Sequence, residues 1–128
     1  MPHAVVPPDL QDYVDDWHMS PGLEHEGFMF LTGFTGAGTD GSVPADPEVQ
    51  IRSAFERVGL VLKEAGLGFE HIVEMTSYHV GLRDHLQTFR RVRDEHVRAP
   101  YPAWTAIEVA GFVTEGVVVE LRAIARRT

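Results

Sequence analysis

Two carboxylates stand where the surrounding residues are apolar. Glu108 ends the run Trp104-Thr105-Ala106-Ile107, and Glu120 follows Val117-Val118-Val119. A carboxylate on a half-buried strand is costly unless it is paired or used. Desolvation raises its pKa, which suits a group that takes and returns a proton near neutral pH. The bland alternative for Glu120 is an ion pair, with Arg122 on the same strand face or with an arginine of another subunit. The seven histidines form no HxH, HExxH or similar ligand pair on one element, so no metal site is predicted. His79 and His85 are near in sequence but on different elements. Ser20, Ser42, Ser53 and Ser77 lack the GxSxG elbow of a serine nucleophile. There is no cysteine, which removes thiol nucleophiles, zinc-thiolate sites and disulfides together.

Gly36-Ala37-Gly38-Thr39-Asp40-Gly41 matches GxGxxG literally. In a dinucleotide loop the helix opens inside that motif, so that its N-terminus faces the pyrophosphate. Here Ser42, Val43 and Pro44 intervene, and the segment reads as a turn. Arg90, Arg91, Arg93 and Arg98 cluster, but Asp94 and Glu95 sit among them. That pattern reads as a solvated, self-paired helix face.

The elements that must position these residues follow from periodicity. Residues 1–21 are rich in Pro and Asp and read as an irregular lead-in. Residues 22–35 read as two short strands or a hairpin. Within them Phe28-Met29-Phe30-Leu31 is apolar on both parities, so both of its faces should be covered. Residues 36–45 are a Gly- and Pro-rich loop. Asp46 then caps a helix and Pro47 takes its first position. Ile51, Ala54, Phe55, Val58, Val61, Leu62 and Ala65 give that helix one apolar face, and Gly66 stops it. Residues 70–80 read as a strand. Asp84 caps a second helix over 85–97, with Leu86 and Phe89 inward. Pro100 and Pro102 bracket a turn, and residues 104–110 and 117–125 are strands. The order β-β-α-β-α-β-β is an α+β arrangement in which two helices cover one face of a mixed sheet of four to six strands. The other face keeps apolar residues with no helix left for it, so a second copy of the chain is the expected cover.

Composition bounds the reading. The 128 residues are one domain, 1–128, with 44% hydrophobic and 23% charged residues, as in an ordinary globular protein. The formal charge of −8 disfavours phosphate backbones and anionic membranes as partners. No apolar run approaches the roughly 20 residues that span a bilayer. The start, MPHAVVPPDLQDYVDD, lacks the basic and apolar regions of a secretory signal, so a soluble, cytoplasmic protein is expected.

Four stretches together carry a resemblance: FLTGFTG, then DGSVPADPEVQIRSAFERVGLVLKEAGLGFEHIVEMTSYH, then YPAWTAIEVAGF, and finally VVVELRAIA. They resemble the reactive-intermediate deaminase family (Rid, or YjgF-like, also labelled endoribonuclease L-PSP) over about residues 22–125. The resemblance implies a chorismate-mutase-like fold and a homotrimer with clefts between subunits. It also implies hydrolysis of imines or enamines derived from amino acids, without metal or organic cofactor. Residue by residue, the family's strand glutamate matches Glu120, and its hydroxyl-glycine pair matches Thr32-Gly33. Its N-terminal tyrosine corresponds to Ser20, its second-helix asparagine to Arg90, and the position two after its arginine to Ala106. That arginine, which holds the substrate carboxylate, belongs to a Pro-Ala-Arg turn that here reads Pro102-Ala103-Trp104. The chain thus resembles a diverged member without the carboxylate clamp.

Two compensations stay open: a cation from Arg90, or an apolar or aromatic ligand stacked on Trp104. Three functions stay open as well. One is hydrolysis of an imine-like metabolite by Glu120, on a substrate other than the standard 2-imino acids. Another is metabolite binding without catalysis. The third is ribonuclease activity, which the negative charge disfavours.

Overall fold

The computed structural model describes residues 1–128. Its elements in chain order are β1 (His3–Val5), α1 (Gln11–Asp15), β2 (Gly22–His25), β3 (Phe28–Leu31), β4 (Phe34–Thr35), α2 (Pro47–Glu64), β5 (Ile72–His79), α3 (Leu82–Asp94), β6 (Ala103–Glu108) and β7 (Val119–Arg126). One mixed sheet runs β1-β2-β3-β7-β5-β6, and β4 also pairs with β7. Only β5 and β6 are parallel, as the α3 crossover between them requires.

Helix α2 forms as its sequence dictates. Asp46 accepts the backbone N–H of Glu48 at 2.9 Å, Pro47 follows, and Gly66 takes the left-handed conformation past the end. Ile51, Ala54, Phe55, Val58, Val61 and Leu62 are all buried. They pack with Phe89 and Val92 of α3 on the sheet side chains Met29, Leu31, Met75, Leu121, Ala123 and Ala125. Truncating a ring at the centre of this core, such as Phe55, costs about 3–5 kcal/mol.

The lead-in is more ordered than its composition predicts. β1 pairs with β2, and α1 sets the Tyr13 ring 5.5 Å from that of Phe34. Pairing across 19 residues and a five-residue helix leave no local periodicity to read. Helix α3 begins at Leu82, not at residue 85, and Asp84 does not cap it. Gly81 stands at the cap with φ 76° and no side chain. Glu108, from β6, accepts the N–H groups of Gly81 at 3.0 Å and Leu82 at 2.7 Å. These two bonds hold the Glu108 carboxyl below the usual carboxylate range. Glu108 is therefore a cap supplied by a neighbouring strand.

The sheet face away from α2 and α3 is uncovered. Leu23 pairs with Phe30, and Phe30 with Ile124. Leu23, Phe28 and Phe30 are 37–43% exposed, whereas Met29 and Leu31 on the other parity are buried. The double-sided covering predicted for β3 is half absent from a single chain.

Candidate functional site

Strands β3 and β4 are one line of chain broken at Thr32-Gly33, and β7 pairs with both pieces. Glu120 sits on β7 opposite this break, paired with Thr35 on one side and Tyr78 on the other. Its carboxyl lies directly against Gly33. A Cβ at that position would fall 2.6 Å from Glu120 Oε2, so only glycine leaves room for the carboxylate. No ion pair forms between Glu120 and Arg122, and Arg122 is exposed. Burial without a compensating charge pushes the Glu120 carboxyl above its ordinary value.

Glu120, Thr32 and Gly33 line one cavity of about 470 Å³. The sequence-predicted hydroxyl, glycine and carboxylate therefore meet. Thr32 is tethered at both ends: its N–H donates to the Pro21 carbonyl at 3.0 Å and its hydroxyl reaches Met19 Sδ at 3.5 Å. Met19, not Ser20, is the residue of that stretch on the cavity wall. The loop containing Gly36–Gly41 closes one side, held by Asp40, which accepts from the Ser42 N–H and hydroxyl. It is a turn, with α2 starting only at Pro47.

Tyr13 and Arg57 are among the cavity residues that escaped the sequence reading. Tyr13, from α1, presents a phenol whose pKa is raised by burial, so it stays a proton donor at neutral pH. Arg57, from α2, donates from Nη1 to the Thr35 carbonyl at 2.6 Å and lies beside the Tyr13 hydroxyl. Arg57 falls off the apolar face of α2 and reads from sequence as a solvated charge. Tyr13 lies in a segment with no periodicity.

Trp104, Ala106 and Arg90 are not part of this cavity. Trp104 and Ala106 pair with Met75 and Ser77, whose side chains are buried on the helix side of the sheet. The indole stacks on Phe89 with centroids 5.6 Å apart, and the Arg93 guanidinium stands 4.7 Å from its centre. Its Nε1–H donates to Ser77 Oγ at 2.9 Å. Ser77 Oγ lies 2.7 Å from His79 Nε2, and His79 Nδ1 lies 3.0 Å from His85 Nε2. The indole can only donate, so Ser77 Oγ accepts from it and shares a second hydrogen bond with His79 Nε2. Desolvation pushes both imidazoles down, His79 to about 4, so the string is neutral at pH 7. The two histidines are structural, joined across β5 and α3. Arg90 is exposed and makes no ion pair within the chain, while Arg91 and Arg93 are paired to Glu48 and Asp94.

The model of the family described as endoribonuclease L-PSP matches residues 16–127. The chain belongs to this Rid/YjgF family. The RutC family protein YjgH of Escherichia coli K12 is 30% identical over 124 residues, 96% of this chain and 93% of that protein. A solved structure of protein YJGH superposes with a TM-score of 0.87, covering 98% of this chain and 95% of that one at 28% identity. TdcF of Escherichia coli K12, named for a proposed reactive-intermediate deaminase activity, is 33% identical over 91 residues, 69% of each chain. The structure of E. coli TdcF with bound serine has a TM-score of 0.76 at 30% identity, covering 86% of this chain and 88% of that one. The Rid fold is thus established, with its mixed sheet and the long helices on one face. No helix of this Rid protein is long and apolar enough to cross a membrane.

Proposed function

We propose that this Rid-family chain binds a small metabolite in the Glu120 cavity and hydrolyses a C=N bond there, within a homotrimer whose clefts lie between subunits. The single observation that carries the reading is the Glu120 carboxyl, unpaired and desolvated, seated on Gly33 inside a cavity whose wall also carries Thr32 and Tyr13. An unpaired, partly buried acid is expensive to keep unless it moves protons.

In the proposed reaction water adds to the imine carbon. Glu120 takes a proton from that water as it adds and returns it to the imine nitrogen, giving the carbinolamine. Glu120 then takes the carbinolamine hydroxyl proton as the C=O forms and gives it to the departing nitrogen, which leaves as ammonia. Thr32 and Tyr13 supply hydroxyls that orient the ligand. No metal or organic cofactor enters any of these steps. TdcF, named for deaminase activity, supports the class of reaction. The indole at 104 offers no arginine fork, so a substrate carboxylate, where there is one, is held by a residue other than the one the resemblance implies.

The test is decay of imines generated in situ from several amino acids, followed by ammonia release. Acceleration over buffer that disappears in Glu120→Gln supports the reading. Ligand-induced thermal stabilisation with no acceleration for any imine overturns catalysis and leaves a metabolite-binding trimer. Cleavage of RNA that survives Glu120→Gln after further purification would point to a third activity, which the charge of −8 opposes.

A further inference from the structure

The family's carboxylate clamp is missing at Trp104, yet the Glu120 cavity is not without a cation. Arg57 is the only positively charged residue on its wall. Its guanidinium uses Nη1 on a backbone carbonyl and rests beside a phenol that stays protonated. No carboxylate of the chain pairs with it, although the cavity wall also carries Asp12 and Glu120. Most other arginines on the two long helices, Arg52, Arg91 and Arg93, have acid partners. A part-buried guanidinium with spare N–H donors and no counter-charge, facing an open cavity, is an anion site awaiting its anion.

We infer that Arg57 takes over substrate selection, binding the carboxylate of the ligand whose reactive carbon is presented to Glu120. The clamp has moved from the β6 turn to α2 of the same chain. Arg57 is anchored by the Thr35 carbonyl, so its fork is fixed on the strand that lies opposite Glu120. A ligand with a carboxylate at one end and a C=N or C=O at the other spans these two groups. A ligand without the carboxylate leaves Arg57 desolvated and unpaired. Arg57 is thus a specificity residue, and it does not exchange protons with the substrate.

This inference rests on the Glu120 cavity being the ligand site, and binding alone can test it apart from catalysis. The probes are 2-oxobutanoate, which carries the carboxylate, and butanone, which lacks it. Both are titrated by calorimetry into wild type, Arg57→Met, Arg57→Lys, Arg90→Ala and Glu120→Gln. The expected result is that wild type binds 2-oxobutanoate far more tightly than butanone. Arg57→Met should weaken 2-oxobutanoate roughly 30-fold or more and leave butanone within about twofold. Arg57→Lys should recover part of the loss, and Arg90→Ala should change nothing. A merely structural role for Arg57 would weaken both probes together. Equal affinity of Arg57→Met and wild type for 2-oxobutanoate overturns the inference, as does an effect confined to Arg90→Ala. Retained imine hydrolysis in Glu120→Gln would sink the catalytic reading while an intact Arg57 dependence of binding left this one standing.

Discussion

At the scale of single residues, the site is a contest between Glu120 and its surroundings, and the outcome sets activity and stability in opposite directions. Glu120→Gln keeps the shape and removes the proton acceptor. Imine hydrolysis should fall by about 10²- to 10⁴-fold, the usual range for loss of a general base. The same change should stabilise the fold. The Glu120 pKa is raised in the folded state, so the native protein binds more protons than the unfolded chain as pH rises past the unfolded value. Stability from this group is therefore fully present in acid and lost as pH rises through the folded pKa. A melting series should show Glu120→Gln ahead of wild type at pH 8, with the gap closing toward pH 4. Activity runs the other way, rising with pH as the carboxylate forms, and its midpoint should lie above the ordinary carboxylate range. Gly33→Ala separates site from fold. Its methyl collides with the far end of the Glu120 side chain, which can swing aside. Activity should drop to near the level of Glu120→Gln while the melting temperature moves by no more than a few degrees.

At the scale of elements, what could be read in the sequence was whatever repeats locally. The α2 cap, its apolar face and its stop are each set by residues within a turn of one another, and all formed as read. The Thr32-Gly33 break and Glu120 were legible because the family spacing surrounds them. Contacts between distant segments were not. Nothing near Gly81 announces that Glu108 will cap α3, because the two meet only through the parallel pairing of β5 and β6. Likewise His79 and His85 look like scattered histidines until β5 and α3 bring them to 3.0 Å. That string has a consequence in acid. The folded pKa of His79 is lowered to about 4 from 6.5, so the unfolded chain takes up protons that the native state refuses. Stability should decline as pH falls from about 6.5 toward 4. His79→Gln removes the titrating ring and should flatten that decline in melting temperature, even though its stability at pH 7 is lower. If the decline persists unchanged in His79→Gln, other groups carry it.

For the whole molecule, the uncovered sheet face and the Glu120 carboxylate belong to one surface. Register places Glu120 beside Tyr78, and Tyr78 beside Ile107. The same parity continues through Ile124 to Phe30 and Leu23. Phe28 and Phe30, with ring centres 6.4 Å apart, form a raised aromatic pair on it, and Arg126 covers Phe28 at 4.8 Å. A patch of this kind on an isolated chain is unstable toward self-association, since every apolar side chain it buries is worth roughly 1.5–3 kcal/mol. A neighbour that reached the rim of the Glu120 cavity would exclude bulk water from the acid. Phe30→Glu is the sharp probe, because β3 alternates and the substitution leaves the buried Met29 and Leu31 in place. Light scattering should show the mass of several chains for wild type and of one chain for Phe30→Glu, with near-native circular dichroism. If a neighbour completes the cleft, imine hydrolysis falls with the oligomer although Glu120, Gly33 and Arg57 are untouched. A monomeric Phe30→Glu that keeps full activity would place the whole site within a single chain, and an unchanged mass would show that this face is not where the copies meet.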